Sequence, residues 1–418
     1  MGFGATVFNE TGNLLLLTLY PDCDIVLVSS RMTNRKSFWG GVGLLAATTI
    51  GAGIFSLPYL FKEAGWLTGV FYLVILSGVL ISVHYLYWQI LAKLKEKQRL
   101  LGLTGKYLGR TVFYLGFFVI IGGLLLTLVV YLILIGNFVR LVFPGVSFAQ
   151  GILVFWFLAS LPLVLKLRRL VGFEFLGTVL MAAIIVLVFG SSWQSIGSKG
   201  FPAIDLRNFF LPFGAILFSL AGWTAIEPVF EWQKKSESGT PDRHSALSIL
   251  SFGTLIPAFL YVVFATGILG SAREVTPDTI SGLTNWPLWQ VAIMGWLGII
   301  AIWTSYAPIA VEIKNSLEKD LRWPACVAEA TSARLRPAGL SLYIVLFLPL
   351  ILIALGLRNF LSIIGLAGGV FLGLQYLLII LVGKKVLDLS RRKNFLLNML
   401  AALFVLGAIF EIYYSLIR

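Results

Sequence analysis

Apolar segments of about 20 residues recur along almost the whole of this chain, and each is long enough to cross the hydrocarbon core of a bilayer. In that solvent every backbone N–H and C=O group needs a partner within the protein, which restricts membrane-crossing segments to helices and closed barrels. Charged residues make up 12% of the 418 residues, against about 25% in soluble domains. The pattern therefore predicts an all-α polytopic membrane protein.

Polar breaks divide the chain into eleven predicted transmembrane helices. The predicted spans are 38–62, 66–92, 110–142, 149–165, 170–190, 207–232, 244–270, 287–314, 339–357, 360–382 and 394–416. Residues 1–37 are predicted to be a cytoplasmic tail that precedes a transporter domain over residues 38–416. Because Met32 and the polar residues after it are typical of a cytoplasmic start, residues 1–31 are expected to be an upstream extension without a defined fold.

The distribution of basic residues supports this count and predicts an orientation. A net charge of +13 is compatible with binding to nucleic acid or to an anionic membrane surface. With a cytoplasmic N-terminus, 25 of the 32 lysines and arginines fall in inner segments, as the positive-inside rule requires. The sequence thus predicts an integral protein of the cell membrane (inner or plasma membrane), with its C-terminus outside and with no nucleic-acid partner.

Two of the spans contain helix-weakening residues at their midpoints. Gly51 and Gly53 lie in the middle of the first span, and Gly222 lies in the middle of the sixth. Glycine costs about 1 kcal/mol relative to alanine in a helix interior. A break exposes N–H groups that suit a carboxylate and carbonyls that suit an ammonium or metal cation. The alternative is that these glycines only allow helices to pack closely.

The matching positions of the two weak points predict an internal symmetry. Inverted repeats are common in transporters, and their binding sites are formed by discontinuous helices at the repeat interface. The first repeat would be residues 38–190 and the second residues 207–382, with an eleventh helix at 394–416. This arrangement favours a binding site for a small zwitterion between the first and sixth spans.

The residues around both weak points resemble a known family. The segment Thr49–Tyr59 (Thr-Ile-Gly-Ala-Gly-Ile-Phe-Ser-Leu-Pro-Tyr) resembles the first helix of the amino acid/auxin permease and aromatic amino acid permease group, within the amino acid–polyamine–organocation superfamily. Ala221–Pro228 resembles the sixth-helix motif of that group, and Lys314–Leu321 is similar to a segment of its bacterial members. The resemblance implies the leucine-transporter fold, a 5+5 inverted repeat plus one helix, and a midplane site between helices 1, 3, 6 and 8.

The resemblance also implies positions for the substrate. The predicted substrate-binding residues are Thr48, Thr49, Gly51, Ala52, Gly53, Thr127, Phe218, Ser219, Leu220, Gly222 and Trp223. Thr49 and the small residues after it would hold the carboxylate, while carbonyls around Thr48, Ser219 and Leu220 would face the amino group. No acidic or basic residue lies near this predicted pocket, which favours neutral amino acids, including large or aromatic ones.

The coupling ion stays open between sodium and a proton, and no cofactor is predicted. Thr304 and Ser305 resemble the hydroxyl pair that completes a sodium site in this fold, although such hydroxyls also bond back to their own helix. Glu227 is a candidate proton carrier, with a role in a gate or plain solvation as alternatives. Two cysteines and two histidines form no CxxC or His cluster, so the sequence predicts no metal site.

Other ionisable residues are assigned to a gate or to structural positions. Glu312, with Arg35 or Lys36 as its partner, is predicted to form an intracellular gate that breaks on inward opening. His84 is expected to be a hydrogen-bonded structural residue. Glu411 is expected to be solvated at the outer end of the eleventh helix.

Taken together, these features predict a secondary active amino acid transporter, a cation-coupled symporter that works by alternating access. One alternative is a non-transporting amino acid sensor with the same fold, and another is a superfamily transporter for a different small amine or organic solute. A channel would need a continuous polar pore face, whereas the spans contain isolated polar positions. No nucleophile–base set indicates an enzyme, and nothing in the sequence predicts an obligate protein partner.

Overall fold

Helices form in every segment that the apolar pattern predicted to cross the membrane. The computed structural model describes residues 4–8, 14–18, 34–94, 99–164, 171–192, 203–236, 243–283, 286–320 and 338–417. The α-helices are α1 (Asn34–Thr49), α2 (Leu57–Ala64), α3 (Trp66–Lys93), α4 (Leu100–Leu108), α5 (Arg110–Val142), α6 (Phe148–Val164), α7 (Val171–Ser192), α8 (Pro212–Ser219), α9 (Ile226–Ser236), α10 (Arg243–Ser271), α11 (Leu288–Asn315), α12 (Ala338–Ala354), α13 (Phe360–Gly365), α14 (Gly373–Val386) and α15 (Arg391–Ile417).

The lengths of these helices confirm a polytopic membrane protein. Seven helical segments in the described ranges are long and apolar enough to cross a membrane, and the bent pair Phe38–Thr49 and Ala52–Ala64 is an eighth candidate. Three shorter apolar helices stand at the fourth, fifth and ninth predicted spans: Phe148–Leu161, Val179–Gly190 and Leu340–Ala354. The count of eleven crossings stays a prediction.

The core of the bundle lies around α5. In its most apolar stretch 78% of the residues are buried, against 28% for α15, so α5 is central and α15 peripheral. The helix α5 packs against α11, α6 and α4, while α10 packs against α1 and α7. The outer surface is rich in exposed apolar side chains such as Phe118 and Val186, which suits contact with lipid.

The two predicted weak points are breaks in the helices, which confirms that expectation. The helix α1 ends at Thr49, and a short 3₁₀ helix at Ala52–Ser56 leads into α2, with a bend of 50° between the two halves. In the sixth span α8 ends at Ser219, and a 3₁₀ turn at Trp223–Ala225 leads into α9. Backbone polar groups are thus released from the helical pattern at matching points of two spans.

Three features of the helical part were not predicted. The short helix α4 stands between the second and third predicted spans. Two π-helical segments also occur, at Ser316–Asp320 after α11 and at Leu366–Leu372 between α13 and α14. In the second of these, a Cβ on Gly368 would overlap the Gly214 carbonyl of α8, so the glycine permits a close approach that any side chain would prevent.

A short antiparallel strand pair precedes the helices. The strands β1 (Gly4–Phe8) and β2 (Leu14–Thr18) pair with Gly4 opposite Thr18, whereas the sequence analysis expected no defined fold for residues 1–31. The difference has a local cause in β1, because its threonine, valine and phenylalanine favour extended backbone. A two-stranded hairpin of this kind is only marginally stable by itself in water.

Candidate functional site

A cavity of about 60 Å³, here called the central cavity, lies between the two helix breaks. Its lining comes from both breaks, from α5, from α11 and from the π segment at 366–372. The lining residues are Thr48, Thr49, Gly51, Ala52, Gly53, Leu124, Thr127, Tyr131, Phe218, Ala221, Trp223, Thr224, Ile309 and Leu372. The structure thus brings together eight of the eleven predicted substrate-binding residues, and no lining residue carries an ionised side chain.

The first break releases backbone amides from the helical pattern beside the central cavity. The α-helical ladder of α1 ends with Ile50, whose N–H donates to the Ala46 carbonyl at 2.9 Å, and the next bond runs from Ile54 N–H to the Gly51 carbonyl at 3.5 Å. The amides of Gly51, Ala52 and Gly53 therefore lie outside the ladder, at the start of the second half of the helix. Helix starts carry partial positive charge and bind anions through such amides.

Three of the four threonine hydroxyls of the lining are already engaged as donors. Thr48 donates to the Leu44 carbonyl at 3.0 Å, Thr49 to the Leu45 carbonyl at 2.9 Å, and Thr127 to a carbonyl one turn before it in α5. A carboxylate offers only acceptors. In this geometry the Thr49 hydroxyl is therefore not the carboxylate donor that the sequence analysis expected, although its lone pairs remain able to accept a hydrogen bond.

A single tyrosine joins the two breaks. The Tyr261 hydroxyl of α10 lies 2.8 Å from the Thr49 carbonyl and 2.8 Å from the Ser219 carbonyl. These are the last residues of α1 and α8, where helices leave carbonyls without intrahelical donors. Tyr261 is fully buried, and its single O–H proton is shared between the two carbonyls. The sequence analysis missed it, because nothing local to Tyr261 indicates that it faces the two breaks.

The two breaks also touch directly, at Gly53 and Ser219. A Cβ added at Gly53 would lie 2.8 Å from the Ser219 Cα and still closer to its hydroxyl oxygen, so only glycine allows this approach. The Ser219 hydroxyl itself donates to the Ala215 carbonyl at 2.8 Å. Three predicted binding residues, Ser219, Leu220 and Gly222, are not part of the cavity lining, because they face the packing interface between the breaks.

Side chains of α14 hold the second break. The Trp223 indole Nε1 donates to Gln375 Oε1 at 2.7 Å, and Gln375 Nε2 donates to the Val119 carbonyl at 3.0 Å. The Tyr376 hydroxyl lies close to the backbone of Gly222 and Trp223. His84 Nε2 lies 3.3 Å from the same hydroxyl, which confirms His84 as a hydrogen-bonded structural residue.

A larger cavity of about 250 Å³, here called the charged vestibule, lies on the other side of Trp223 and Thr224. These two residues border both cavities and form the wall between them. The vestibule lining is Tyr87, Arg99, Leu100, Leu101, Ile120, Trp223, Thr224, Glu227, Pro228, Glu231, Glu312 and Ser316. In contrast with the central cavity, it contains three carboxylates and a guanidinium group.

The predicted gate residue Glu312 has a partner that was not predicted. Its Oε1 accepts from Arg99 Nη1 at 3.2 Å, and Arg99 stands directly before α4. Arg35 and Lys36 lie in the first turn of α1, and their side chains fall outside the described part of the structure. The sequence analysis counted Arg99 only as a loop residue, because the helix α4 that positions it was not predicted.

The predicted hydroxyl pair on α11 is placed only in part. The Ser305 hydroxyl donates to the Ala301 carbonyl at 3.1 Å, which is the intrahelical bond named above as the alternative to a sodium site. The side chain of Thr304 lies outside the described residues. The residue of α11 that borders the central cavity is Ile309, so a sodium site at this pair stays a prediction.

Glu411 is a correction to the sequence analysis, which expected a solvated side chain. It is 4% exposed, and its Oε1 accepts the Gly214 N–H at 3.0 Å. The cause is a set of glycines at 214, 365 and 369 on the neighbouring segments, each of which would overlap or touch the Glu411 side chain if it carried a Cβ. Sequence position near a helix end could not reveal this contact.

Comparison with protein families gives one match over most of the chain. The family model described as transmembrane amino acid transporter protein matches residues 34–416. No curated protein sequence matches. The family match covers both breaks and all the helices α1 to α14, and it ends within α15.

Solved membrane transporters resemble the structure over most of its length. A mutant of the manganese transporter of Eremococcus coleocola is 13% identical, with a TM-score of 0.54 over 93% of this chain and 97% of that chain. Mhp1, a nucleobase-cation-symport-1 family transporter in a closed conformation with bromovinylhydantoin bound, is 11% identical, with a TM-score of 0.54 over 81% of this chain and 77% of that chain. At these identities the likeness establishes the fold alone, an all-helical polytopic membrane transporter fold like that of the leucine transporter.

Proposed function

This chain belongs to the family of transmembrane amino acid transporter proteins, and we propose that it is a secondary active transporter of neutral amino acids, coupled to a cation. One observation carries the proposal: the two helix breaks meet at the Tyr261 hydroxyl and enclose a cavity between them. Breaks of this kind persist in a membrane only where they line a cavity or are buried in protein.

The polarity of the two breaks suits a zwitterion. The amides of Gly51, Ala52 and Gly53 are donors at a helix start and would bind the α-carboxylate. The Thr49 carbonyl accepts a hydrogen bond from Tyr261 and has a second lone pair available. The Thr48 hydroxyl donates to the Leu44 carbonyl, and its oxygen can still accept a hydrogen bond. Acceptor oxygens of this kind suit an ammonium group. The carboxylate and the ammonium would then be held by backbone dipoles and hydroxyls, without ionised side chains.

The rest of the lining favours a neutral, apolar amino acid side chain. Leu124, Phe218, Ile309 and Leu372 supply apolar surface on the far walls of the central cavity. A charged substrate side chain would be desolvated there without a counter-ion, which is costly. The free volume of about 60 Å³ indicates that a large or aromatic substrate requires outward movement of these walls.

Alternating access would proceed through the wall at Trp223 and Thr224. Loss of the bond from Trp223 to Gln375 and of the Arg99–Glu312 ion pair would connect the central cavity with the charged vestibule. The breaks in the first and sixth spans would correspond under the proposed 5+5 inverted repeat, with α15 as an added eleventh helix. Rocking of one set of helices against the other would then expose the substrate to each side in turn.

The test is uptake by purified protein in liposomes, with a panel of neutral, acidic and basic amino acids. Separate sodium and proton gradients identify the coupling ion, since Ser305 and Glu227 offer a candidate for each. We expect gradient-driven uptake of neutral amino acids. Uptake should be lost in Gly53→Ala and kept in Gly78→Ala, a helix position of α3 where an added Cβ meets nothing within 4 Å.

Each other outcome contradicts the proposal in a distinct way. Substrate binding without gradient-driven uptake would favour the amino acid sensor. Uptake of a different small amine or organic solute, with no amino acid transported, would favour another substrate class. Equal activity of the two glycine variants would show that transport does not depend on the contact between the two helix breaks.

A further inference from the structure

The buried carboxylate of Glu411 plays no part in the site described above. It lies on α15, the peripheral helix, and yet it is only 4% exposed. Its side chain fills a space bounded by Gly214 of α8, Gly365 of α13 and Gly369 of the π segment. A charge in the membrane is costly and is retained where it has a role. Here three glycines on two neighbouring spans make room for a single carboxyl group.

The partner of this carboxylate is a helix start. Glu411 Oε1 accepts the N–H of Gly214 at 3.0 Å, and this is its one hydrogen bond within the described part of the chain. Gly214 is in the first turn of α8, which begins with Pro212 and has no side-chain cap of its own. A negative charge at this point is stabilised by the unpaired amides and by the helix dipole. Glu411 thus caps α8 from another helix.

The other titratable groups around Glu411 are few. The segments 212–219 and 360–372 carry none, and α3 contributes Tyr72, whose ring packs against Phe213 at the start of α8. The helix α14 contributes Tyr376 and Lys384. Tyr376 stacks on Phe404, which lies two helical turns before Glu411 on α15. Lys384 donates to Asn398, which lies nearer the start of α15. Lys385 follows Lys384, and the tyrosines at 413 and 414 are on α15 itself. In the described structure no cation is paired with the Glu411 carboxylate.

We propose that Glu411 is a proton-binding site whose occupancy controls the position of α8 and, through it, the second helix break. The proton comes from water at the end of the bundle where α8 begins, forms an O–H bond on the carboxyl group, and returns to the same water on release. The ionised form holds the start of α8 against α15 through a charge-assisted bond. Protonation removes that charge and leaves only the weaker bond of a neutral acceptor, as in a glutamine, so that α8 is held less firmly against α15.

The link to the substrate site is the length of α8 itself. This half-helix has eight residues, so a shift of its start moves its end, Ser219, which contacts Gly53 and is bound by Tyr261. A displacement at Ser219 changes the distance between the two breaks. The proton would therefore change substrate affinity from a position outside the cavity, which is the definition of coupling between two sites.

This inference rests on the proposed function for its substrate readout, so the test includes a measurement that needs no substrate. Infrared spectroscopy of the purified protein during a pH titration should show the C=O stretch of a protonated carboxylic acid appear as the pH falls. That band should be absent in Glu411→Gln and present in Glu63→Gln, a matched change at a partly exposed carboxylate of α2 that pairs with Lys62. Persistence of the same band in Glu411→Gln overturns the proposal, whether or not the protein transports amino acids.

The second measurement is the pH dependence of amino acid affinity, taken by equilibrium binding. We expect affinity to change by about tenfold across the titration in the wild type, a usual size for coupling between sites, and to be independent of pH in Glu411→Gln. The glutamine still accepts the Gly214 N–H, so a purely structural role would leave the pH profile unchanged. Should Glu411→Gln not fold, Glu411→Asp serves instead: its shorter side chain withdraws the carboxylate from the Gly214 N–H, so the midpoint of the profile should move, and an unmoved midpoint contradicts the proposal.

Discussion

The two helix breaks occupy matching places in the first and sixth spans, and yet they deal with their released polar groups differently. At the first break the axis bends by 50°, and Gly51, Ala52 and Gly53, whose amides lie outside the helical ladder, line the central cavity. At the second break the helix keeps its course, so that Pro212–Lys234 still passes as one membrane-crossing segment. There Gln375 accepts from the Trp223 indole, and Tyr376 lies close to the backbone of Gly222 and Trp223.

The difference assigns separate roles to the two breaks. Polar groups left open in a membrane protein are costly unless a partner arrives, so the first break is suited to receive the substrate carboxylate. At the second break Gln375 of α14 accepts a hydrogen bond from Trp223, and this break supplies the movable wall between the two cavities. The two breaks are alike in one respect: the Thr49 carbonyl at the first and the Ser219 carbonyl at the second both lie within hydrogen-bond distance of the Tyr261 hydroxyl.

The largest effect is expected from Gly53→Ala, which adds a methyl group where the two breaks touch. The new Cβ would lie 2.8 Å from the Ser219 Cα, and backbone cannot yield as a side chain can. Overpacking of this kind costs about 1–3 kcal/mol, which corresponds to about 5- to 150-fold in substrate affinity. Equilibrium binding of a neutral amino acid measures it, with Gly78→Ala as the control. Unchanged affinity would show that the breaks need not approach each other.

Tyr261→Phe tests the feature that the two breaks share. Loss of the hydroxyl leaves the Thr49 and Ser219 carbonyls without their donor, at a cost of about 1–3 kcal/mol in the free energy of unfolding. Tyr306→Phe is the matched control, because the buried Tyr306 hydroxyl has no hydrogen-bond partner in the described structure. Thermal unfolding in detergent measures both. Equal loss of stability in the two variants would contradict the inference that the Tyr261 hydroxyl stabilises both breaks.

Gln375→Leu separates the second break from the first. Without Gln375 the Trp223 indole loses its acceptor, which costs about 1–2 kcal/mol and should make the wall to the charged vestibule easier to open. We expect faster substrate release, measured in stopped flow. The control is Gln233→Leu, which removes the comparable Trp88–Gln233 bond away from the central cavity. The assignment fails if both variants release substrate at the same rate.

The smallest effect is expected from Glu312→Gln in the charged vestibule. Its partner Arg99 is at 3.2 Å, and the two side chains are 29% and 23% exposed, so the pair contributes about 0–1 kcal/mol. Release should become slightly faster and lose part of its dependence on ionic strength. The exchange Arg99→Glu with Glu312→Arg should restore that dependence. Asp388→Asn, which removes the exposed pair with Lys93, should leave release unchanged.

Helix positions and breaks were predictable from sequence because both follow from local rules. Apolar runs identified every helix that could cross the membrane, and Gly51, Gly53 and Gly222 marked the two breaks. Most of the predicted lining was correct for the same reason, since residues adjacent to a break face the cavity it creates. The π segment at 366–372 was missed, because its cause is the close approach of α8 and not the local sequence.

Contacts between distant helices could not be predicted. Tyr261 and Gln375 are single polar residues in apolar spans, and only the packing of α10 and α14 shows what they bind. Arg99 depends on α4, whose presence the charged loop composition concealed. Glu411 was misjudged because its distance from the helix end suggested water, whereas glycines on two other spans enclose it.

The central claim is that the first break binds the carboxylate of a neutral amino acid. Its most direct test is an experimental structure of the protein saturated with the panel amino acid that binds most tightly. The account predicts the ligand in the central cavity, with its carboxylate hydrogen-bonded to the amides of Gly51, Ala52 and Gly53. A ligand bound elsewhere, or bound with its carboxylate away from those amides, would contradict it.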